Sequence, residues 1–235
     1  MESFDSAVSI FVNGFAHRWW GVDRLATFLA GNELVKGVPV LATFFFAWFQ
    51  LSGTANSQEL TQKRRILLHT LLVCIPAVLL TRALAWALPF RARPNQNPEL
   101  HLRIAHTFDT QMLIGWSSFP SDHAVLLFAL ATGMFLVHRK VGLFLYVHAI
   151  VVLLPRLFLG IHYPSDLLVG ALLGVGFGYT AAWYALRVAM TRPAMYLMKL
   201  SSGFFYACFF FLTQETAQMY DPLRHAAAAV WRLVR

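Results

Sequence analysis

Residues 141 to 186 form an apolar run long enough to cross a bilayer twice, and Arg156, His162 and Asp166 are lodged in its middle. An ionisable group in or near hydrocarbon costs several kcal/mol, so such residues face a polar cavity and act there. Any fold for this chain must therefore bring the stretch 156–166 to a protected polar place between two membrane helices. Phe119-Pro120-Ser121-Asp122-His123 repeats part of the pattern ahead of another apolar run, and Arg91-Ala92-Arg93-Pro94 follows a third. These three stretches are expected to meet at one membrane face and bind phosphate.

Only 13% of the 235 residues are charged and 58% are hydrophobic, against about a quarter charged in an ordinary soluble domain. This composition excludes a soluble enzyme and predicts an all-α integral membrane protein, with residues 1–235 as a single domain. The formal charge of +8 would suggest a nucleic-acid partner in a soluble chain. Here the basic residues cluster at the ends of apolar runs, which fits topology and anionic lipid and implies no nucleic acid. Cys74 and Cys208 both lie in apolar runs and read as small core residues, giving neither a disulfide nor a metal pair. Met1 to Asp5 lacks the basic region of a secretory signal, so insertion is expected to depend on the spans themselves.

Six spans are predicted, at about 34–51, 66–89, 121–137, 141–159, 165–186 and 195–213. Residues 3–18 carry Phe4, Val8, Phe11 and Phe15 at helical spacing and read as an interfacial helix, followed by Trp19 and Trp20 as interface anchors. Residues 22–31 read as a second short helix, and Pro222 to Arg235 as an amphipathic interfacial helix. Ser52 to Gln62 reads as a polar loop. In the span from 165, Gly170, Gly174, Gly176 and Gly178 predict close helix packing. His69 and His148 read as packed polar residues within spans. The connection 90–118 is the one long loop, with Arg91, Arg93, Arg103, His101 and His106.

The side opposite the three polar stretches holds Lys63, Arg64, Arg65, Arg139, Lys140, Arg187, Arg192 and Lys199, with Glu59 as its one acid. The positive-inside rule makes that side cytoplasmic. The polar stretches then face the periplasm or outer surface of a bacterial inner membrane.

Proline is favoured at the first helical position. Pro120-Ser121-Asp122 and Pro164-Ser165-Asp166 thus read as two helix starts, each able to present backbone N–H groups to an anion. Arg93 and Arg156 add the bidentate donors that phosphate oxygens prefer, and His123 and His162 suit a nucleophile and an acid. The carboxylates on this side, Glu99, Asp109, Asp122 and Asp166, are scattered, so neither a metal nor another cofactor is expected, and the arginines would carry the charge.

Taken together, the stretches resemble the three-part signature of the type-2 phosphatidic acid phosphatase superfamily. That signature reads Lys, six residues, Arg-Pro; Pro-Ser-Gly-His; and Ser-Arg, five residues, His, three residues, Asp. Arg93-Pro94, Pro120-Ser121-Asp122-His123 and Arg156 to His162 to Asp166 match at the right spacings within about residues 82–178. Three positions depart from it. Trp86 stands in place of the lysine, with Arg82 or Arg91 as its substitute. Asp122 replaces the glycine, a variant similar to the bacterial undecaprenyl diphosphate phosphatases, and Pro155 replaces the serine.

The resemblance implies a six-helix membrane bundle and a catalytic set of His162 as nucleophile, Asp166 as its orienting partner and His123 as general acid. It implies phosphate contacts from Arg93, Arg156, Ser121, Asp122 and either Arg82 or Arg91. The implied partner is a phosphorylated membrane lipid, with undecaprenyl diphosphate first and phosphatidylglycerophosphate, phosphatidic acid or lipid A as alternatives. Two other classes remain open, a lipid phosphotransferase and a carrier that merely binds anions. Oligomeric state has no signature in the sequence.

Overall fold

The computed structural model describes residues 2–50, 56–105, 108, 114–220 and 222. His106, Asp109 and the expected helix over 223–235 lie outside the described residues. Among the described residues, every regular element is a helix. The helices are α1 (Glu2–Asn13), α2 (Trp20–Gly31), α3 (Glu33–Gln50), α4 (Ser57–Ala87), α5 (Asp122–Val137), α6 (Arg139–Phe158), α7 (Pro164–Tyr179), α8 (Tyr184–Leu200) and α9 (Ser202–Ala217), with short 3₁₀ turns at Pro94–Gln96, Pro98–Leu100 and Thr180–Ala182.

Helix α5 is the axis of the bundle. It is apolar around its whole circumference and buried from Ala124 to Leu127 and from Ala129 to Met134, as expected of a helix enclosed by other helices. Helices α4, α6 and α7 pack around it. The contact with α7 depends on missing side chains. A Cβ at Gly170, Gly174 or Gly178 would lie 2.7, 2.3 or 2.7 Å from the carbonyl oxygens of Ser121, Val125 and Ala129. Gly176 faces open space, so the expected small-residue stripe has three members rather than four. Phe44 and Trp48 of α3 fill the core beside Phe205 and Phe209 of α9.

Among the described residues, three helices are long and apolar enough to cross a membrane: Ser57–Ala87, Arg139–Phe158 and Pro164–Ala182. The pair α2 and α3 passes as a fourth crossing, bent by 52° at its break. Of the six expected spans, three or four thus meet that measure of length and hydropathy among the described residues. At 16 residues, α5 is about 24 Å long, shorter than the roughly 30 Å hydrocarbon core. The span expected over 195–213 is broken at Ser201, whose extended backbone (φ −151°, ψ 97°) separates α8 from α9. Arg187, Arg192 and Lys199 sit on α8, which is not among the helices that meet the measure. Residues 57–62 are helical rather than loop, because the Asn56 side chain caps α4 by accepting the Glu59 N–H at 2.7 Å. His69 and His148 are packed polar residues, bonded to Thr180 Oγ1 at 2.8 Å and to the Lys36 carbonyl at 3.1 Å.

Helix α1 has its faces assigned by its neighbours. Asp5, Ser9 and Asn13, four residues apart, are buried, while Phe4, Phe11 and Phe15 are exposed. The polar stripe faces the protein. Asn13 ties α1 down by donating to the Arg103 and Phe158 carbonyls at 2.9 and 3.2 Å and accepting the Arg103 N–H at 2.7 Å. Trp19 and Trp20 beyond it are exposed, as interface anchors are.

Candidate active site

The C-terminal ends of α4 and α6 and the N-terminal ends of α5 and α7 converge on one side of the bundle, and the loop after α4 crosses them. Gly160 makes this possible. Its φ of +66° ends α6, letting the Ile161 N–H return to the Arg156 carbonyl at 2.8 Å, and its own carbonyl accepts the Asn95 N–H at 2.9 Å. This left-handed position favours glycine, and the turn it makes swings His162 under the loop carrying Arg93.

A cavity of about 70 Å³, on the order of two water volumes, lies at the convergence. Arg82, Arg93, Asp122, His123, Arg156 and His162 line it with Ala85, Ser117 and Pro120. A shallower groove of about 650 Å³ adjoins it, sharing Arg82, Ala85 and Ser117 and adding Trp86, Leu88, Phe90 and Trp116. Trp86, in the lysine position of the motif, is 84% exposed and belongs to the groove alone.

His162 is buried, and its Nδ1 bonds the Ser118 carbonyl at 2.9 Å. A carbonyl only accepts, so Nδ1 carries the proton and Nε2 keeps its lone pair. Burial pulls the ring down to about 4, helped by Arg93 and Arg156 and opposed by Asp166. Asp166 Oδ2 is 3.7 Å from His162 Nδ1, an ion-pair distance rather than a hydrogen bond. Its closer partners are the Tyr163 N–H at 2.7 Å and Arg91 Nη1 at 2.5 Å.

Arg93 is buried and anchored by donating to the Ile161 carbonyl at 2.8 Å. Burial lowers its guanidinium to about 10, against the pull of Asp122 and Asp166. Arg156 donates to the Ala30 carbonyl at 3.2 Å and to His123 Nε2 at 2.6 Å. Arginine offers only donors, so His123 Nε2 is an acceptor here. Arg82 is paired with Asp122 and lies 4.7 Å over the Trp116 ring.

Six of the predicted site residues thus border one cavity, and three stand apart from it. Ser121 is fully buried and is not among the lining residues; its N–H donates to the Asp166 carbonyl at 3.3 Å and its Oγ has no hydrogen-bond partner among the described residues. Arg91 and Asp166 belong to a second cluster, completed by a residue that the sequence reading did not select. Asp5 accepts from the Ser165 N–H at 3.0 Å, the Ser165 hydroxyl at 2.6 Å and Arg91 Nη2 at 2.6 Å. Burial pushes the Asp5 carboxyl up, and the Ser165 and Arg91 hydrogen bonds more than reverse it, leaving it below the ordinary carboxylate value. The anion at the start of α7 is therefore supplied by the protein. The signal that could have found Asp5 was the stripe Asp5, Ser9, Asn13. Among the described residues, no group of three or more His, Cys, Asp or Glu side chains is placed to hold a metal ion.

Residues 66–190 match the PAP2 superfamily. The bacitracin transport permease protein BcrC of Bacillus licheniformis is 36% identical over 109 residues, 46% of this chain and 48% of that protein. This chain thus spans about half the length of that relative. Undecaprenyl-diphosphatase BcrC of Bacillus subtilis is 29% identical over 168 residues, covering 72% and 77% of the two chains. Lipid A 4'-phosphatase of Bacteroides thetaiotaomicron is 42% identical over 66 residues, covering 27% and 29%. No solved structure matches.

Proposed function

The chain belongs to the PAP2 superfamily, and on that premise we propose that it is a membrane phosphatase acting on a lipid phosphate, with undecaprenyl diphosphate as the substrate. The observation that carries this reading is the enclosure of two histidines and three arginines around one small cavity that opens beside an aromatic groove. The cavity suits a terminal phosphoryl group and the groove suits the lipid chain next to it. The names of two relatives, undecaprenyl-diphosphatase and lipid A 4'-phosphatase, support a lipid substrate.

In this mechanism His162 Nε2 attacks the terminal phosphorus as the bridging P–O bond breaks. Arg93 and Arg156 hold the phosphoryl oxygens and offset the charge that spreads over them. On binding, phosphate takes the Arg156 N–H from His123, whose Nε2 is then released for proton transfer. His123 Nε2 takes up the proton that the bound terminal phosphate brings with it and passes it to the bridging oxygen of the departing lipid phosphate. Water, giving its proton back to His123, attacks the phosphorus, the P–N bond breaks, and inorganic phosphate leaves with His162 restored. The arginines supply the positive charge, so the reaction is proposed to need no metal.

Orientation follows from the ends of α4 to α7, whatever the total number of spans. The site lies at one set of ends, and Lys63, Arg64, Arg65, Arg139, Lys140 and Arg187 lie at the other. The positive-inside rule then supports a site facing outward from a bacterial inner membrane. The alternative that the bacitracin-permease name raises is an anion carrier, which has no use for both histidines.

The test is phosphate release by purified protein in detergent, with a chelator present, from undecaprenyl diphosphate, phosphatidylglycerophosphate and lipid A. Release from the first that is absent in His162→Ala is the expected result. Release from another lipid alone would overturn the substrate. No release from any would overturn the phosphatase reading in favour of transfer or carriage.

A further inference from the structure

The cluster behind His162 contains one cation and two carboxylates, and one carboxylate comes from a helix outside the matched residues 66–190. Asp5 on α1 is 1% exposed and Asp166 on α7 is 0% exposed. Arg91 lies between them, with Nη2 on Asp5 Oδ2 at 2.6 Å and Nη1 on Asp166 Oδ1 at 2.5 Å. Its Cζ lies 4.1 Å from the Tyr163 ring centroid. Both Asp5 oxygens are engaged, and Ser165 bridges the group by donating its hydroxyl to Asp5 and accepting from Arg91 Nη1 at 2.8 Å. None of these residues lines the catalytic cavity.

We infer that Asp5 is a positioning residue of the active site, supplied by α1, which holds Arg91 in place and through it holds Asp166 beside His162. The inference rests on the phosphatase reading above. Two physical consequences follow from the geometry. First, an arginine side chain is long and loses much rotamer freedom when fixed. With Asp5 on one arm of its fork, the other arm stays aligned on Asp166. Second, one cation between two buried carboxylates leaves a net negative charge at the start of α7, where a helix N-terminus stabilises it. That charge adjoins His162, whose ring becomes more positive as Nε2 bonds phosphorus. Without Asp5, Arg91 would cancel Asp166, and the forming phosphohistidine would lose this support.

The test is a double-mutant cycle on kcat, measured in detergent below the unfolding midpoint of each variant, with wild type and His162→Ala in the same assay. Asp5→Asn and Arg91→Gln should each lower kcat by about ten-fold, the scale of one charge-assisted hydrogen bond, with KM changed less than kcat. The double variant should be no worse than the weaker single, because Asp5 acts through Arg91. Losses that multiply to about 100-fold, as independent sites would give, would overturn the inference, as would wild-type kcat in Asp5→Asn. If Asp5→Asn does not fold, Asp5→Glu, which keeps the charge and moves it by one methylene, reads the same coupling with Arg91. Absence of phosphate release by wild type would take down the phosphatase reading and this inference together, whereas an active wild type with an unaffected Asp5→Asn removes only the inference.

Discussion

Pro120-Ser121-Asp122 and Pro164-Ser165-Asp166 both lead into helices, yet the first borders the candidate site cavity and the second is sealed by Asp5. The tripeptides differ in register against their helices. In the first, Ser121 is the N-cap and Asp122 the first helical residue. In the second, Pro164 is the first helical residue and Asp166 the third. A carboxylate at the third position can reach back to the N-cap N–H, and Asp166 does so at Tyr163. One at the first position cannot, and Asp122 pairs sideways with Arg82 at the cavity wall. The expectation that Pro120 opens its helix is corrected by this register; it lies before the cap. The same three residues therefore give a wall for a ligand in one case and a closed structural joint in the other.

The largest effect expected on this pair is at the histidine between them. His162→Ala should lower phosphate release by on the order of 10³-fold or more, measured against wild type at saturating lipid, while leaving both helix starts intact. Next is Gly170, whose added Cβ would lie 2.7 Å from the Ser121 carbonyl and wedge the two starts apart. Gly170→Val should destabilise the bundle by about 1–3 kcal/mol, read as a lowered unfolding midpoint in detergent, whereas Gly176→Val should change it little.

The serines distinguish the starts directly. Ser121→Ala removes a hydroxyl with no hydrogen-bond partner among the described residues. It should lower kcat/KM by about ten-fold if that hydroxyl turns to a bound phosphoryl group, with little change in unfolding. Ser165→Ala breaks hydrogen bonds to Asp5 and from Arg91. It should lower stability by about 1 kcal/mol and change kcat/KM less than Ser121→Ala does. Equal effects in both assays would erase the distinction.

The last effect is in pH dependence. The folded protein holds His162 near 4 against an ordinary 6.5, so the ring stays neutral and nucleophilic in mildly acid solution. The acid limb of kcat/KM that His162 contributes should fall near pH 4. The unfolded chain takes up this proton at higher pH than the folded one, so His162 lowers stability as pH drops from about 6.5 to 4. His162→Gln should remove that part of the pH dependence of unfolding.

The lining of the cavity was legible because helix starts and a glycine-ended helix have local signatures. Arg93, His123 and His162 lie within two residues of such a signature and Arg156 one helical turn before Gly160, and their spacing carried them together. The destination of Arg91 was not legible, since a flexible guanidinium close to several carboxylates has no local rule to choose among them. The orientation of α1 was missed for a different reason. Amphipathicity marks two faces but not their neighbours, and beside lipid it is the apolar face that turns outward. The expected span over 195–213 failed because hydropathy averaged over Ser201 does not register one extended residue.

Chain order gives that orientation of α1 a consequence for assembly. Asp5 precedes its partners Arg91 and Ser165 by 86 and 160 residues. When α1 leaves the ribosome, neither partner has been made. Its polar stripe has no seat on the protein until α7 is in place on the same side of the membrane. Docking of α1 is thus a late event in maturation, and it reports on completion. A chain truncated before Ser165 would leave Asp5 without the two hydrogen bonds that Ser165 donates. A helix made before its partners is thus locked after them.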